Sequence, residues 1–212
     1  MVKFPCEITP QPKPINYLAH AYLSFNDPEI IVGNLISDFV KGKKKLLYPI
    51  GIQHGITLHR AIDTFTDTHP VTKMAKEIFR PDYRLYSGAI MDVVYDHFLA
   101  TDENEFSENS LLSFSLQTYA VLEKHALWLP EEFNNMFPYM KAQNWLFHYR
   151  TRAGTGSSLQ GLARRALYLS EGHTAYQLFE QNYQLLQYYY RQFWADVRRH
   201  AKQQFELLKK GQ

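Results

Sequence analysis

One face of aromatic and aliphatic side chains, late in the chain, most constrains what this protein can fold into. Tyr176, Phe179, Tyr183, Leu186, Tyr190, Phe193 and Val197 follow one another in alternating steps of three and four residues. That spacing lines one side of an α-helix. Such a seam has to be covered, so it predicts a long helix packed into a core or against a second copy in a homodimer. A surface for stacking a cofactor is the remaining reading. The rest of the sequence keeps the helical period. It contains no Asn-Gly or Asp-Gly hairpin turn, no alternating strand pattern and no internal repeat. The fold class expected is all-α, a single-domain helical bundle.

The punctuation of the chain divides it further. Pro5, Pro10, Pro12 and Pro14 alternate with polar residues, so residues 1–14 read as an extended arm ahead of one domain over 15–212. Asp27-Pro28-Glu29 supplies an N-cap, a first-turn proline and a first-turn acid for a helix through IIVGNLISDFV. Gly42 and Lys43-Lys44-Lys45 should end that helix in a basic loop. A second helix is expected from near Pro49 to the break at His69-Pro70. Gly154-Thr155-Gly156-Ser157 reads as a loop leading into Leu159–Leu169, with a phosphate cradle as its less ordinary use.

Composition excludes several classes of function. A chain of 212 residues buries roughly 70% of its surface on folding and needs no disulfide or structural metal to do so. The single cysteine, Cys6, allows no internal disulfide and no cysteine-based zinc site, which fits the reducing cytoplasm. A net charge of +2 is too mild to argue for nucleic acid. No run of 18 apolar residues exists to span a membrane, and the first residues lack the apolar core of a signal peptide.

The chemistry resides in histidines that keep company with carboxylates. His59 and Asp63 are four residues apart, on one helix face, with Asp67 a turn further on. Asp92 and Asp96 repeat the spacing on another helix, and His97 follows directly. Asp38 lies in the apolar stretch GNLISDFVKG and His20 in NYLAHAYL. Burying several carboxylates on one face is costly unless a cation compensates, and imidazole with carboxylate suits Mn, Fe, Zn or Mg. The competing account is a salt-bridge network using Arg60 and Arg84. No nucleophile elbow, phosphate-binding P-loop or H-E-x-x-H is present. A metal-assisted hydrolysis of a phosphoester is the natural chemistry of such a set.

The segments NYLAH, GNLISDFVKG, GITLHRAIDTFTDTHP and MDVVYDHFLA, in that order, with NWLFHYR over 144–150, resemble the bacterial acyl carrier protein phosphodiesterase family. The resemblance runs from about residue 16 into the last helix. It implies an all-α fold similar to HD-superfamily phosphohydrolases. It also implies manganese-dependent release of 4′-phosphopantetheine from holo acyl carrier protein, with Mg²⁺ or Fe²⁺ as other ions. By the same resemblance Asp38, His59, Asp96, His20 and Asp92 would hold metal. Asp63 or His97 would position or deprotonate the attacking water, and Arg60 would meet phosphoryl charge. The only adjacent His/Asp pair is the reversed Asp96-His97, which departs from the HD dipeptide. Carrier proteins are acidic, so Lys41, Lys43, Lys44 and Lys45, just after Asp38, are the expected docking residues. Two rival readings stay open at this point: a related phosphohydrolase acting on a nucleotide or other small diester, and a non-enzymatic helical binding module.

Overall fold

The Asp27 carboxylate accepts the backbone N–H of Ile30 at 3.2 Å, with Pro28 in the first turn, so the expected cap starts its helix where the sequence put it. The computed structural model describes residues 16–165 and 172–210. The arm expected over 1–14, Cys6 within it, and residues 166–169 of the expected helix lie outside the described residues. The helices are α1 (Tyr17–Tyr22), α2 (Pro28–Ile36), α3 (Ile50–Thr68), α4 (Pro70–Lys76), α5 (Arg80–Tyr83) and α6 (Ser87–Ala100). There follow α7 (Glu108–Lys124), α8 (Glu131–Ala142), α9 (Trp145–His148), α10 (Arg152–Arg165), α11 (His173–Gln181) and α12 (Tyr183–Lys210). Short 3-10 turns intervene, and the described residues contain no strand. The fold is all-α, as expected. Among the described residues no helix is long and apolar enough to cross a membrane.

The seam is covered within the chain. Phe179, Leu186, Tyr190, Phe193 and Val197 are buried, and α12 packs on α3, α4 and α6. Phe193 stacks on Tyr95 of α6 with ring centres 4.6 Å apart. A second copy is therefore not needed to bury this face. The seam is not one helix, however. Asn182 turns its side-chain amide back to the Leu178 carbonyl at 2.9 Å, ending α11, while its own carbonyl opens α12.

Two other expectations are corrected. The helix through IIVGNLISDFV stops at Ile36, and Ser37–Phe39 tighten into a 3-10 turn that carries Asp38 out of the α-helical register. Gly154-Thr155-Gly156-Ser157 is no loop but lies within α10, beginning in its first turn, where Thr151 already takes the Gly154 N–H on its Oγ1 at 2.9 Å and the Thr155 N–H on its carbonyl at 3.0 Å. Its glycine serves close approach: a Cβ at Gly154 would stand 2.1 Å from the His148 carbonyl oxygen. Turn-forming composition thus yielded to tertiary packing.

The most extensive helix–helix packing is between α2 and α3. Gly33 and Gly55 meet at their crossing, where a Cβ on Gly33 would lie 2.0 Å from the Ile52 carbonyl oxygen. Only at this separation do the turn after α2 and the middle of α3, one turn beyond Gly55, share a site.

Candidate metal centre

Each histidine of the site is placed by its own short piece of chain. In α1, His20 is buried, and Asp96 of α6 anchors that helix from outside by accepting the backbone N–H groups of Leu18 at 3.0 Å and Ala19 at 2.8 Å. The His20 ring is oriented by Asn34 of α2. Its Nδ1–H donates to Asn34 Oδ1 at 2.7 Å, while the Asn34 amide donates to the His20 carbonyl and to Ser24 Oγ. The amide orientation that donates to that carbonyl leaves its oxygen to accept, so Nδ1 carries the ring proton and Nε2 presents a lone pair.

That lone pair faces Asp63. His20 Nε2 lies 3.1 Å from Asp63 Oδ1, and His59 Nε2 lies 3.0 Å from Asp63 Oδ2 and 3.5 Å from Asp38 Oδ1. The two imidazoles stack with centres 4.0 Å apart. None of these approaches is an aligned hydrogen bond: His20 Nε2 and both ring nitrogens of His59 are buried without one. A nitrogen lone pair and a carboxylate oxygen, both acceptors, are held together at 3.1 Å. That arrangement is favourable only with positive charge between them.

The electrostatics agree. Burial opposes charge on His59, yet the Asp63 and Asp38 carboxylates overcome it and push the imidazole up to about 10. Burial and the neighbouring His59 lower His20. Asp63 is held well below the usual carboxylate range by the two histidines in spite of its burial. The two carboxylates thus favour positive charge at the His59 side of the cluster. His20, His59 and Asp63 offer one ligand atom each within 4.8 Å of one another, with Asp38 beside them, a donor set that fits a divalent ion of the Mn or Zn type.

Other expected residues are distributed around this group. Asp92 lies near Asp63, and burial together with that carboxylate pushes it well above the usual range while Lys76 pulls it down. Asp96 is not brought to the cluster. Its two oxygens accept backbone N–H groups at the start of α1, the helix that carries His20. Nor is His97, which sits in a separate buried network: Nδ1–H donates to the Tyr149 carbonyl at 2.7 Å and Nε2 accepts from the Tyr183 hydroxyl at 2.9 Å. Arg60 spends its guanidinium on the Val40 carbonyl at 3.0 Å and so ties down the turn after Asp38. Of the lysines, Lys45 donates to Thr57 Oγ1 at 3.1 Å, while Lys41, Lys43 and Lys44 are exposed.

His97 yields a pH prediction. Burial lowers its pKa to about 4, against 6.5 for the free side chain. The unfolded chain then binds the extra proton first, so this contribution to stability is complete above pH 6.5 and is lost as pH falls towards 4. The loss is on the order of 3 kcal/mol. Denaturant unfolding measured from pH 7 to 4 should show a slope that is shallower by up to one proton in His97→Gln. An unchanged slope would contradict the assignment.

Two features of the site escaped the sequence. Asn34 lay within GNLISDFVKG, but an asparagine in an apolar helix gives no local sign of its partner. The second is a cleft of about 670 Å³ that opens from Asp63 between α4, α5 and α6, walled by Lys76, Arg80, Arg84 and the start of α6. Its surface cations come from three separate elements.

Fold and site together define a class: an all-helical protein holding a buried imidazole–carboxylate cluster, suited to a divalent ion, at the head of a cleft. The comparison with known families then places it. The family model described as "Acyl carrier protein phosphodiesterase" matches residues 15–197, and the chain belongs to that family. The Photorhabdus laumondii subsp. laumondii protein of that name is 34% identical over 170 residues, covering 80% of this chain and 86% of its own. The Yersinia pestis protein is 33% identical over 89% of this chain and 98% of its own, and an Escherichia coli O6:H1 protein 29% over 88% and 97%. No solved structure matches, so the expected likeness to HD-superfamily phosphohydrolases rests on sequence resemblance alone.

Proposed function

We propose that this protein hydrolyses the phosphodiester joining 4′-phosphopantetheine to the serine of holo acyl carrier protein. His20, His59 and Asp63, with Asp38 adjoining, are the residues that would hold a divalent ion, Mn²⁺ by family resemblance. The observation that carries the metal reading is His20 Nε2, buried without a hydrogen bond and held 3.1 Å from the Asp63 Oδ1 carboxylate oxygen. When bound, such an ion supplies Lewis acidity, stabilising phosphoryl charge and easing deprotonation of water.

The chain's own residues do the rest. Asn34 fixes the His20 tautomer, Asp96 fixes the helix that carries it, and Arg60 fixes the turn that carries Asp38. Asp63, exposed to the cleft on one side, orients the attacking water through a carboxylate oxygen. Water attacks phosphorus, the bond from phosphorus to the serine oxygen breaks, and that oxygen takes a proton. The products are apo carrier protein and 4′-phosphopantetheine. A single cysteine suits the reducing cytoplasm as the place of work.

Lys41, Lys43 and Lys44 project from the turn that follows Asp38, beside the exposed Leu46 and Leu47, and form the docking surface for the acidic carrier protein. Changing Lys43, Lys44 and Lys45 to glutamate should raise KM for holo carrier protein about tenfold or more with kcat little changed. A fall in kcat at constant KM would oppose that role.

The direct test is the intact mass of holo acyl carrier protein after incubation with this protein and Mn²⁺. Loss of the phosphopantetheine mass, blocked by EDTA, supports the reading. An unchanged mass alongside cleavage of a small generic diester would transfer the activity to small substrates. Inertness in both assays, with no metal response, would leave a binding module.

A further inference from the structure

We propose that the cleft leading from Asp63 is the binding site for the 4′-phosphopantetheine half of the substrate, separate from the lysine turn that meets the protein half. The inference rests on the phosphodiesterase reading and says where each part of that substrate lies.

The cleft has the size of a small-molecule site. Its volume of about 670 Å³ falls within the range of roughly 300–1,000 Å³ for such pockets. It also begins at the right place, since Asp63 belongs both to the imidazole–carboxylate cluster and to the cleft wall. A phosphoryl group at the cluster therefore has an open cleft beside it for whatever it carries. Asp38 approaches the same His59 nitrogen as Asp63 and lies in the short turn just before the one that bears the lysines, so the lysine turn and the cleft both lead to the cluster.

The walls suit a neutral, amide-rich arm better than an acidic protein surface. Next to Asp63 stand Asp67 and Asp92, which would repel acidic side chains, with Lys76 paired to Asp67 at 2.6 Å. Further out, Arg84 lines the cleft and makes no ion pair among the described residues, a ready donor to amide carbonyls. The floor at the start of α6 is Ser87-Gly88-Ala89, small enough to let an extended chain lie flat. At Gly88 an added Cβ would meet only the end of the Lys76 side chain, at 3.5 Å, so this space opens to the cleft.

The backbone at Arg84 is strained where it forms the outer wall. It has φ 45° and ψ −114°, a conformation rarely adopted by a residue with a side chain, and its carbonyl is held by Ser87 Oγ at 2.7 Å. Strain of this kind is retained where the shape it gives is used.

The test is calorimetric titration of free 4′-phosphopantetheine into the Mn²⁺-supplemented full-length protein, its Gly88→Leu variant and its Arg84→Gln variant. Apo carrier protein serves as a second titrant. Gly88→Leu should weaken 4′-phosphopantetheine binding about tenfold or more, and Arg84→Gln about fivefold. Both should leave the melting temperature and the affinity for apo carrier protein unchanged. Arg84→Gly provides a second handle, raising the melting temperature through relief of strain while weakening the same ligand. No binding to the wild type, equal binding by Gly88→Leu, or a selective loss of apo carrier protein affinity would each overturn the assignment. Failure of the underlying reading shows separately, as a wild-type protein that leaves the mass of holo carrier protein unchanged.

Discussion

Replacing His59 by alanine is expected to lower kcat/KM for holo carrier protein by on the order of a thousandfold and to abolish the stabilisation expected of Mn²⁺ with the wild type. His59 is the one residue of the cluster in reach of both carboxylates, at 3.0 Å from Asp63 and 3.5 Å from Asp38. Its removal deprives a bound ion of a ligand and separates the two acids. At a hundred times its Kd, an ion binding only the folded state adds about 2.7 kcal/mol. For a chain of this length that corresponds to a rise in Tm of about 5–10 °C. The quantity to measure is the difference in Tm with and without Mn²⁺ within each protein, so any change in the variant's own stability cancels. Retention of the shift in His59→Ala would place the ion elsewhere. Loss of the shift with activity intact would separate metal binding from catalysis.

The second large effect concerns the crossing of α2 and α3. Gly33→Ala puts a methyl group 2.0 Å from the Ile52 carbonyl oxygen, and Gly55→Ala one 2.4 Å from the Ile30 carbonyl oxygen. Backbone cannot swing aside as a side chain does, so the helices must part. Each substitution is expected to cost about 3 kcal/mol, a fall in Tm of about 6–12 °C. The double variant should cost less than the sum, because the first methyl already separates the pair. Since Asn34 and Asp38 ride on the α2 side and His59 and Asp63 on α3, the Mn²⁺ shift should shrink with stability. Gly42→Ala is the contrast: its φ of 57° strains any side chain, but nothing lies within 4 Å of the added carbon. It should cost about 1 kcal/mol and leave the metal response intact. Equal effects at Gly42 and Gly33 would show that the close crossing carries no special weight.

Much of this protein is legible along the chain wherever the signal is local. The cap at Asp27-Pro28, the break at His69-Pro70 and the inward face of α12 all follow from spacing and turn chemistry over a few residues. The His59–Asp63 pair is legible for the same reason, since four residues along a helix bring two side chains together whatever surrounds it. The Asp92–Asp96–His97 group resembled it on paper, and the structure gives the three residues different work. Asp92 and Asp96 share a face of α6 but meet different surroundings, the cleft and the start of α1, while His97 turns to the Tyr149 carbonyl.

Sequence periodicity and local capping by themselves determined that the chain would be helical, where α2 and α3 begin, and that histidine and aspartate would share a face of α3. Tertiary structure alone decided which faces meet. Asp96 finds Ala19 across 77 residues, and Asn34 finds the His20 ring from another helix. A glycine-rich stretch lies in a helix, α10, that packs on α6. The physical reason is the same throughout. A helix specifies its own stripe of side chains through short-range geometry, whereas the partner of that stripe is set by how closely two backbones can approach, and here two glycines set that distance.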